Sequence, residues 1–199
     1  MDAKIVAVSG GSCSGKSTFA NQAPCGVVVS TDDFYLTAEE VVPEEDGTIN
    51  WEHPTAVDLK ACAEACLRLA AGETVDVPIY SMLTDRRIGY RRVDNADKRL
   101  VILEGIFAFE PIFAGVVDKF VFLDVSREVR FNRRLERDLA RGVALEVILR
   151  NLGNAEMSEQ SSLAILRQRA NIIVTDNEVS SFWETNYGFE QSVALVPAT

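Results

Sequence analysis

The chain begins with an apolar run, Ile5-Val6-Ala7-Val8, that passes through Ser9 into Gly10-Gly11-Ser12-Cys13-Ser14-Gly15-Lys16-Ser17-Thr18. No other stretch restricts the fold as much. The G-x-x-x-x-G-K-S spacing is that of a phosphate-binding loop. Gly10, Gly11 and Gly15 let the backbone curl so that successive N–H groups face inward, Lys16 adds a point charge, and Ser17 adds a hydroxyl for Mg²⁺. A ligand-free glycine turn would have no reason to carry Lys-Ser after Gly15. Residues 10–18, with Ser12, Cys13, Ser14 and Thr18 among them, are expected to bind the phosphates of a nucleotide at the start of a helix.

Downstream, short apolar runs bounded by turn signals predict buried strands at 5–8, 26–29, 100–103, 120–125 and 172–174, and helical periodicity predicts helices at 56–71 and 128–139. This alternation describes an α/β fold: a doubly wound parallel β-sheet of about five strands with flanking helices, as one domain over 1–199. The first helix must be short, because Pro24 and Gly26 follow soon after Lys16. Ligands of such sheets bind beyond the carboxyl ends of the strands. The stretch 37–93 is expected to be mostly an acceptor-binding insertion, with its acidic part 39–46 a mobile surface segment.

Charge excludes some functions. With 199 residues, a hydrophobic content of 47% and a net charge of -10, the chain can build a core but is a poor coat for nucleic acid, which needs a basic surface. Its positive charge is focused: of 20 Lys and Arg residues, six lie at Arg127, Arg130, Arg133, Arg134, Arg137 and Arg141, and six at Arg86, Arg87, Arg91, Arg92, Lys98 and Arg99. Four cysteines, no signal peptide and no long apolar run point to the cytoplasm and away from membranes. Cys62 and Cys66 read as small buried hydrophobes rather than metal ligands, and His53, the only histidine, as a turn residue before Pro54.

Two apolar strands deliver acids to the edge where the loop lies. The second ends in Ser30-Thr31-Asp32-Asp33-Phe34-Tyr35, and the third in Glu104-Gly105. A carboxylate beside the terminal phosphate can take a proton from an attacking hydroxyl or help to hold the metal, whereas a water-activating switch protein more often uses Gln. Asp32 is the expected base and metal contact, with Asp33 free to cap the next turn. Glu104 is expected to anchor Mg²⁺ alongside Ser17, through water. At about 100° per residue, Arg130, Arg133, Arg134, Arg137 and Arg141 form one stripe, opposite Phe131, Leu135 and Leu139. Arginine without lysine favours bidentate phosphate recognition. Residues 127–153 are therefore expected to form a lid that docks by its apolar face and closes over ATP, with Arg133, Arg137 and Arg141 at the nucleotide and Arg137 assisting transfer.

Six blocks, in order, resemble uridine kinases and the related phosphoribulokinase and pantothenate kinase enzymes: residues 10–17, Asp32-Asp33-Phe34-Tyr35, Asn50-Trp51-Glu52-His53-Pro54, Val77-Pro78-Ile79-Tyr80, Leu103-Glu104-Gly105-Ile106 and Arg133-Arg134-Leu135-Glu136-Arg137-Asp138. The resemblance implies an ATP- and Mg²⁺-dependent phosphotransferase, with the acceptor alcohol near Asp32 and with Tyr35, Trp51, Glu52, Tyr80 and Arg134 on its sugar and base. Arg87 joins them as an expected acceptor contact. Met82 and Asp85 stand where the family carries an aromatic residue and a histidine. Glu52 replaces a shorter Asp, and Val143 follows Arg141-Gly142 where a basic residue is common. An ionised Asp85 accepts hydrogen bonds only, which suits an amino-bearing base or a cationic group. A nucleoside 5′-kinase is the leading reading. A kinase of another small alcohol, pantothenate-like or a sugar phosphate, is the second, and an ATP-binding regulatory protein the third. The tail, 182–199, is expected to pack on the sheet or against a second subunit in a homo-oligomer.

Overall fold

Residues 5–10 are buried one after another, a pattern that only a strand covered on both faces sustains. In the computed structural model, which describes residues 2–24, 26–45, 47–51, 53–96, 100–176, 178–179 and 181–187, and of 150–161 the backbone alone, this segment is the central strand. The elements run β1 (Lys4–Gly10), α1 (Lys16–Asn21), β2 (Gly26–Ser30), α2 (Leu59–Ala70), β3 (Val75–Ser81), β4 (Arg86–Val93), β5 (Leu100–Glu104), β6 (Lys119–Asp124), α3 (Arg127–Ala140), α4 (Leu145–Arg169), β7 (Ile172–Thr175) and α5 (Phe182–Tyr187). Short 3₁₀ turns occupy Thr31–Phe34, Pro54–Ala56 and Pro111–Gly115.

The expected parallel sheet is present, with five strands in the order β2-β5-β1-β6-β7. Its register gathers the future site. Glu104 at the end of β5 lies opposite both Val8 of β1 and Ser30 of β2, and Gly10 lies opposite Leu123. Alternate residues feed the two faces. Ile5, Ala7, Val101 and Leu103 pack with α2, the β3–β4 side and part of α4, whereas Val6, Val8, Leu100 and Ile102 pack with Phe19 and Ala20 of α1 and Phe182 and Trp183 of α5. Trp183 Nε1 donates to the Phe19 carbonyl at 2.7 Å, and both rings are stacked with Phe182. This part of the tail packs behind the first helix; 188–199 lie outside the described residues.

Four expectations change. The stretch 37–93 is less of an insertion than its position suggested, because α2 lays the fully buried Cys62, Cys66 and Leu69 against the sheet. The Cys66 thiol and burial push the Cys62 thiol well above its usual range, as befits core packing. Within 39–46 the first half is pinned: Glu39 pairs with Arg86 and Glu40 with Arg87, Thr37 N–H donates to Glu40 Oε2, and Val41 is buried. The lid's apolar face is not fully docked. No residue of α3 is buried, and Leu139 is 49% exposed, because α3 packs along α4 rather than flat on the sheet. The segment beyond 145 is one long helix, α4, that runs well past 153 and returns to the sheet. Among the described residues, no helix is long and apolar enough to cross a membrane. His53 caps the Pro54–Ala56 turn, with Nδ1 2.8 Å from Thr55 Oγ1.

Candidate active site

β1 ends at Gly10 with φ +154°, and a Cβ there would stand 2.8 Å from the Leu123 carbonyl and 2.9 Å from Ser14 Oγ. Gly11 is equally constrained, since a Cβ would fall on the Arg130 guanidinium. The loop curls through Cys13 at φ +60° and Gly15 at φ +90°, and Gly15 caps α1. Lys16, first residue of that helix, folds back so that Nζ donates to the carbonyls of Gly10 and Gly11, each at 3.1 Å. Ser17, next along, donates from Oγ to Glu104 Oε1 at 3.2 Å.

The carboxylates are distinguished by their surroundings. The Thr31–Phe34 turn is capped by Ser30, whose Oγ accepts from Asp32 N–H at 3.2 Å, so neither Asp is the cap. Asp33 turns out of the cleft and pairs with Arg91, Nη2 to Oδ2 2.8 Å. Asp32 opens onto the cleft with its side chain close to Lys16, Thr31 and Asp33 and partly shielded from water. That loss of water raises its pKa, with the charge of Asp33 adding, and Lys16 and Thr31 opposing. Glu104 is buried, and burial raises its pKa too, with the Asp32 charge adding to it against hydrogen bonds from Ser30 and Ser17 and the charge of Lys16. Two crowded carboxylates beside a hydroxyl form a hard-oxygen donor set that fits Mg²⁺, which keeps most of its water and takes one or two carboxylates. Among the described residues there is no cluster of three or more His, Cys, Asp or Glu for a more fully ligated metal. The loop fits a polyphosphate by Gly10 and Gly11, which leave no room for a side chain, and by the start of α1 at Lys16.

Above the loop, α3 supplies guanidiniums. Arg130 Nη1 donates to the Ser12 carbonyl and Arg133 Nη1 to the Ser14 carbonyl, each at 3.3 Å. Arg133, Arg134 and Arg137 line the cleft. Asp138 draws on the last two, 3.6 Å from Arg134 Nε and 2.8 Å from Arg137 Nε. Arg141 caps the end of α3 and does not line the cleft.

On the other side, the Tyr35 ring lies 5.5 Å from Tyr80, 6.2 Å from Trp51 and 6.4 Å from Phe107 between centroids, and its hydroxyl donates to the Trp51 carbonyl. Tyr80 Oη is buried without a hydrogen-bond partner; burial raises its pKa, helped by the charge of Asp85. Asp85 itself stands exposed in the β3–β4 turn at φ +48°, outside the cleft lining, and Arg87 is 3.8 Å from Glu40. Glu52 lies outside the described residues. The cleft, about 820 Å³, brings residues 10–13 and 15–18 together with Asp32, Tyr35, Glu104, Arg133, Arg134 and Arg137. It also uses residues that the sequence did not reveal: Phe107, Glu110 and Pro111 after β5, and Ser162, Leu166 and Arg169 of α4. Only the adjacency of Ile106 and Phe107 to Glu104-Gly105 carried a signal for these.

Comparison with known proteins agrees with this geometry. The profile of the Phosphoribulokinase / Uridine kinase family matches residues 5–176. The chain is 31% identical over 153 residues to a uridine kinase of Borrelia garinii subsp. bavariensis, covering 74% of this chain and 73% of that protein. It is 32% identical over 157 residues to a uridine kinase of Shewanella baltica, covering 73% and 74%. In fold it is similar to the solved structure titled "a Possible Uridine Kinase from Bacillus stearothermophilus", with a TM-score of 0.59 at 20% identity over 87% of this chain and 89% of that one.

Proposed function

The chain belongs to the phosphoribulokinase/uridine kinase family and is an ATP-dependent small-molecule kinase, and from that premise we propose that its acceptor is a nucleoside, phosphorylated on the 5′-hydroxyl. One observation carries this reading: Asp32 opens onto the cleft between the phosphate loop and Tyr35, whose ring is backed by Tyr80 and Trp51. ATP with Mg²⁺ supplies the phosphoryl group and part of the charge neutralisation. The loop N–H groups and Lys16 hold the phosphates, and Ser17, Glu104 and Asp32 are the groups that would hold the cation. Asp32 takes the proton from the acceptor hydroxyl. Arg133 and Arg137 meet the charge that spreads over the phosphoryl oxygens. Tyr35 and Arg134 hold the sugar and base, with Tyr80 and Trp51 packed behind the Tyr35 ring, and closure of α3 keeps water from competing.

A sugar-phosphate acceptor is the second reading, favoured by Arg134 and Arg169, two guanidiniums on the cleft wall. ADP release measured against nucleosides, pantothenate, glycerate and pentose phosphates decides between them. Nucleosides are expected to give the highest kcat/KM, and a pentose phosphate or pantothenate giving a higher value overturns the nucleoside assignment.

A further inference from the structure

The hairpin that backs Tyr35 is fastened to the turn that carries Asp32. Tyr80 of β3 stacks on Tyr35, which follows that turn directly. From β4, Arg91 reaches across to β2 and the turn, where a single nitrogen, Nη2, donates to Asp33 Oδ2 at 2.8 Å and to the Val28 carbonyl at 3.3 Å. Alternation along β4 sets this aim. Residues 86, 88, 90 and 92 face outward, and 87, 89, 91 and 93 face inward. β2 is the outermost strand of the sheet, so no further strand of that sheet flanks its end, and the turn beyond it packs on β3 and α2 instead. The turn itself is a short 3₁₀ element, a form with poor hydrogen-bond geometry, and Ser30 is its side-chain cap. Neither Asp33 nor Arg91 lines the cleft, so neither is placed to touch a substrate.

We propose that Arg91 is a positioning residue: by holding Asp33 and the Val28 carbonyl together it locks the Thr31–Phe34 turn to the acceptor hairpin, so that Asp32 and the acceptor hydroxyl meet at a fixed distance. The proposal rests on the kinase reading of Asp32. Without the guanidinium, the Asp33 carboxylate beside Asp32 loses its ion pair, and the turn keeps the Ser30 cap, the buried Thr31 and Phe34 and the Asp58 N–H bond to the Phe34 carbonyl but loses its side-chain tie to β4. Misplacement by about 1 Å costs about 10²-fold in rate. Loss of a part-exposed ion pair, by contrast, changes stability little.

The test uses the full chain with Mg²⁺·ATP and the acceptor that the wild type turns over fastest. Arg91→Gln is expected to lower kcat tenfold or more while the KM for ATP stays within twofold and the melting temperature within a few degrees. Because both contacts come from one nitrogen, Arg91→Lys should recover kcat to within about threefold. Asp33→Ala should reproduce the loss, and the double variant should be no slower than either single one, since the two act as a unit. An unchanged kcat in Arg91→Gln, additive losses in the double variant, or an effect confined to the acceptor KM overturns the proposal. If Arg91→Gln melts far lower, Asp33→Asn, which keeps an oxygen for Arg91, replaces it, and additivity of its effect with Arg91→Lys is then the overturning result. A wild type that turns over no acceptor refutes the kinase reading instead. The same variants are then read on slow ATP hydrolysis, where rates equal to wild type overturn the positioning role.

Discussion

Replacing Asp32 by Asn changes one oxygen to an amide and separates chemistry from binding. The variant keeps its size, and its backbone N–H keeps the bond to Ser30 Oγ, so the turn remains capped. What it loses is the proton acceptor. General bases contribute roughly 10²–10⁴ in rate, about 2.7–5.4 kcal/mol at 1.36 kcal/mol per decade. The lower end applies here, because Lys16, Arg133 and Arg137 still meet the developing charge. We expect kcat to fall about 10²-fold with little change in the KM for ATP. Stability should move the other way. Burial, aided by Asp33, raises the Asp32 pKa above its ordinary 3.8, so the folded state binds this proton more tightly than the unfolded chain does. The ionised carboxylate therefore costs stability at neutral pH. The cost is absent below pH 3.8 and is complete once the pH has risen past the raised folded value. Asn carries no such cost. In chelator-treated buffer the variant should melt at or above the wild type at pH 7, and the two should converge below about pH 4. Coupled ADP release and thermal melts over that range test this. A kcat within threefold of wild type refutes the assignment of Asp32 as base, and a variant that melts well below wild type refutes the stability cost of its ionised carboxylate.

Three other outcomes are expected. Glu104→Gln removes an anion bonded to Ser17, so the Mg²⁺ concentration for half-maximal activity should rise roughly tenfold; an unchanged titration would make Glu104 a bystander. Asp85→His should leave the acceptor ranking and ATP binding unchanged, because Asp85 stands exposed in the β3–β4 turn outside the cleft lining, and a ranking that shifts toward carbonyl-bearing pyrimidine nucleosides would return residue 85 to recognition. Trp183→Phe removes the 2.7 Å bond to the Phe19 carbonyl, although that oxygen still accepts from Gln22 N–H at 3.2 Å. With the smaller ring this should cost about 1–3 kcal/mol and lower the melting temperature by roughly 3–10 °C, a shift that differential scanning calorimetry will resolve.

Features whose signal is contiguous could be read from the sequence. The phosphate loop is one unbroken motif after an apolar strand, and Glu104 closes the run 100–103, so loop, sheet and strand-end acid follow from local pattern alone. The β3–β4 hairpin hid because β4 fills its inward face with Arg87, Gly89 and Arg91 rather than with aliphatic residues, which erases the apolar alternation of a half-buried strand. Tertiary partners decided the rest. The sequence singles out Asp32 as the base but leaves Asp33 to a cap, and it is Arg91, far along the chain, that draws Asp33 away from the cleft. Ser162, Leu166 and Arg169 reach the cleft because α4 returns to the sheet, a placement that no spacing within the helix encodes.

The placement of α5 beneath α1 has a consequence for the order in which the protein is made. Lys4 pairs with Leu100 and Val6 with Lys119, and Phe19 is covered by Phe182 and Trp183. The nucleotide loop is thus made before the strands and the helix that seat it. A nascent chain that stops short of residue 182 already holds Lys16, Asp32, Glu104 and the α3 arginines, yet it leaves the Phe19 side of the sheet open to water and to other chains. A nucleotide that binds only the finished loop cannot guide the early steps. It can only add its binding energy after the last helix has closed the floor beneath it.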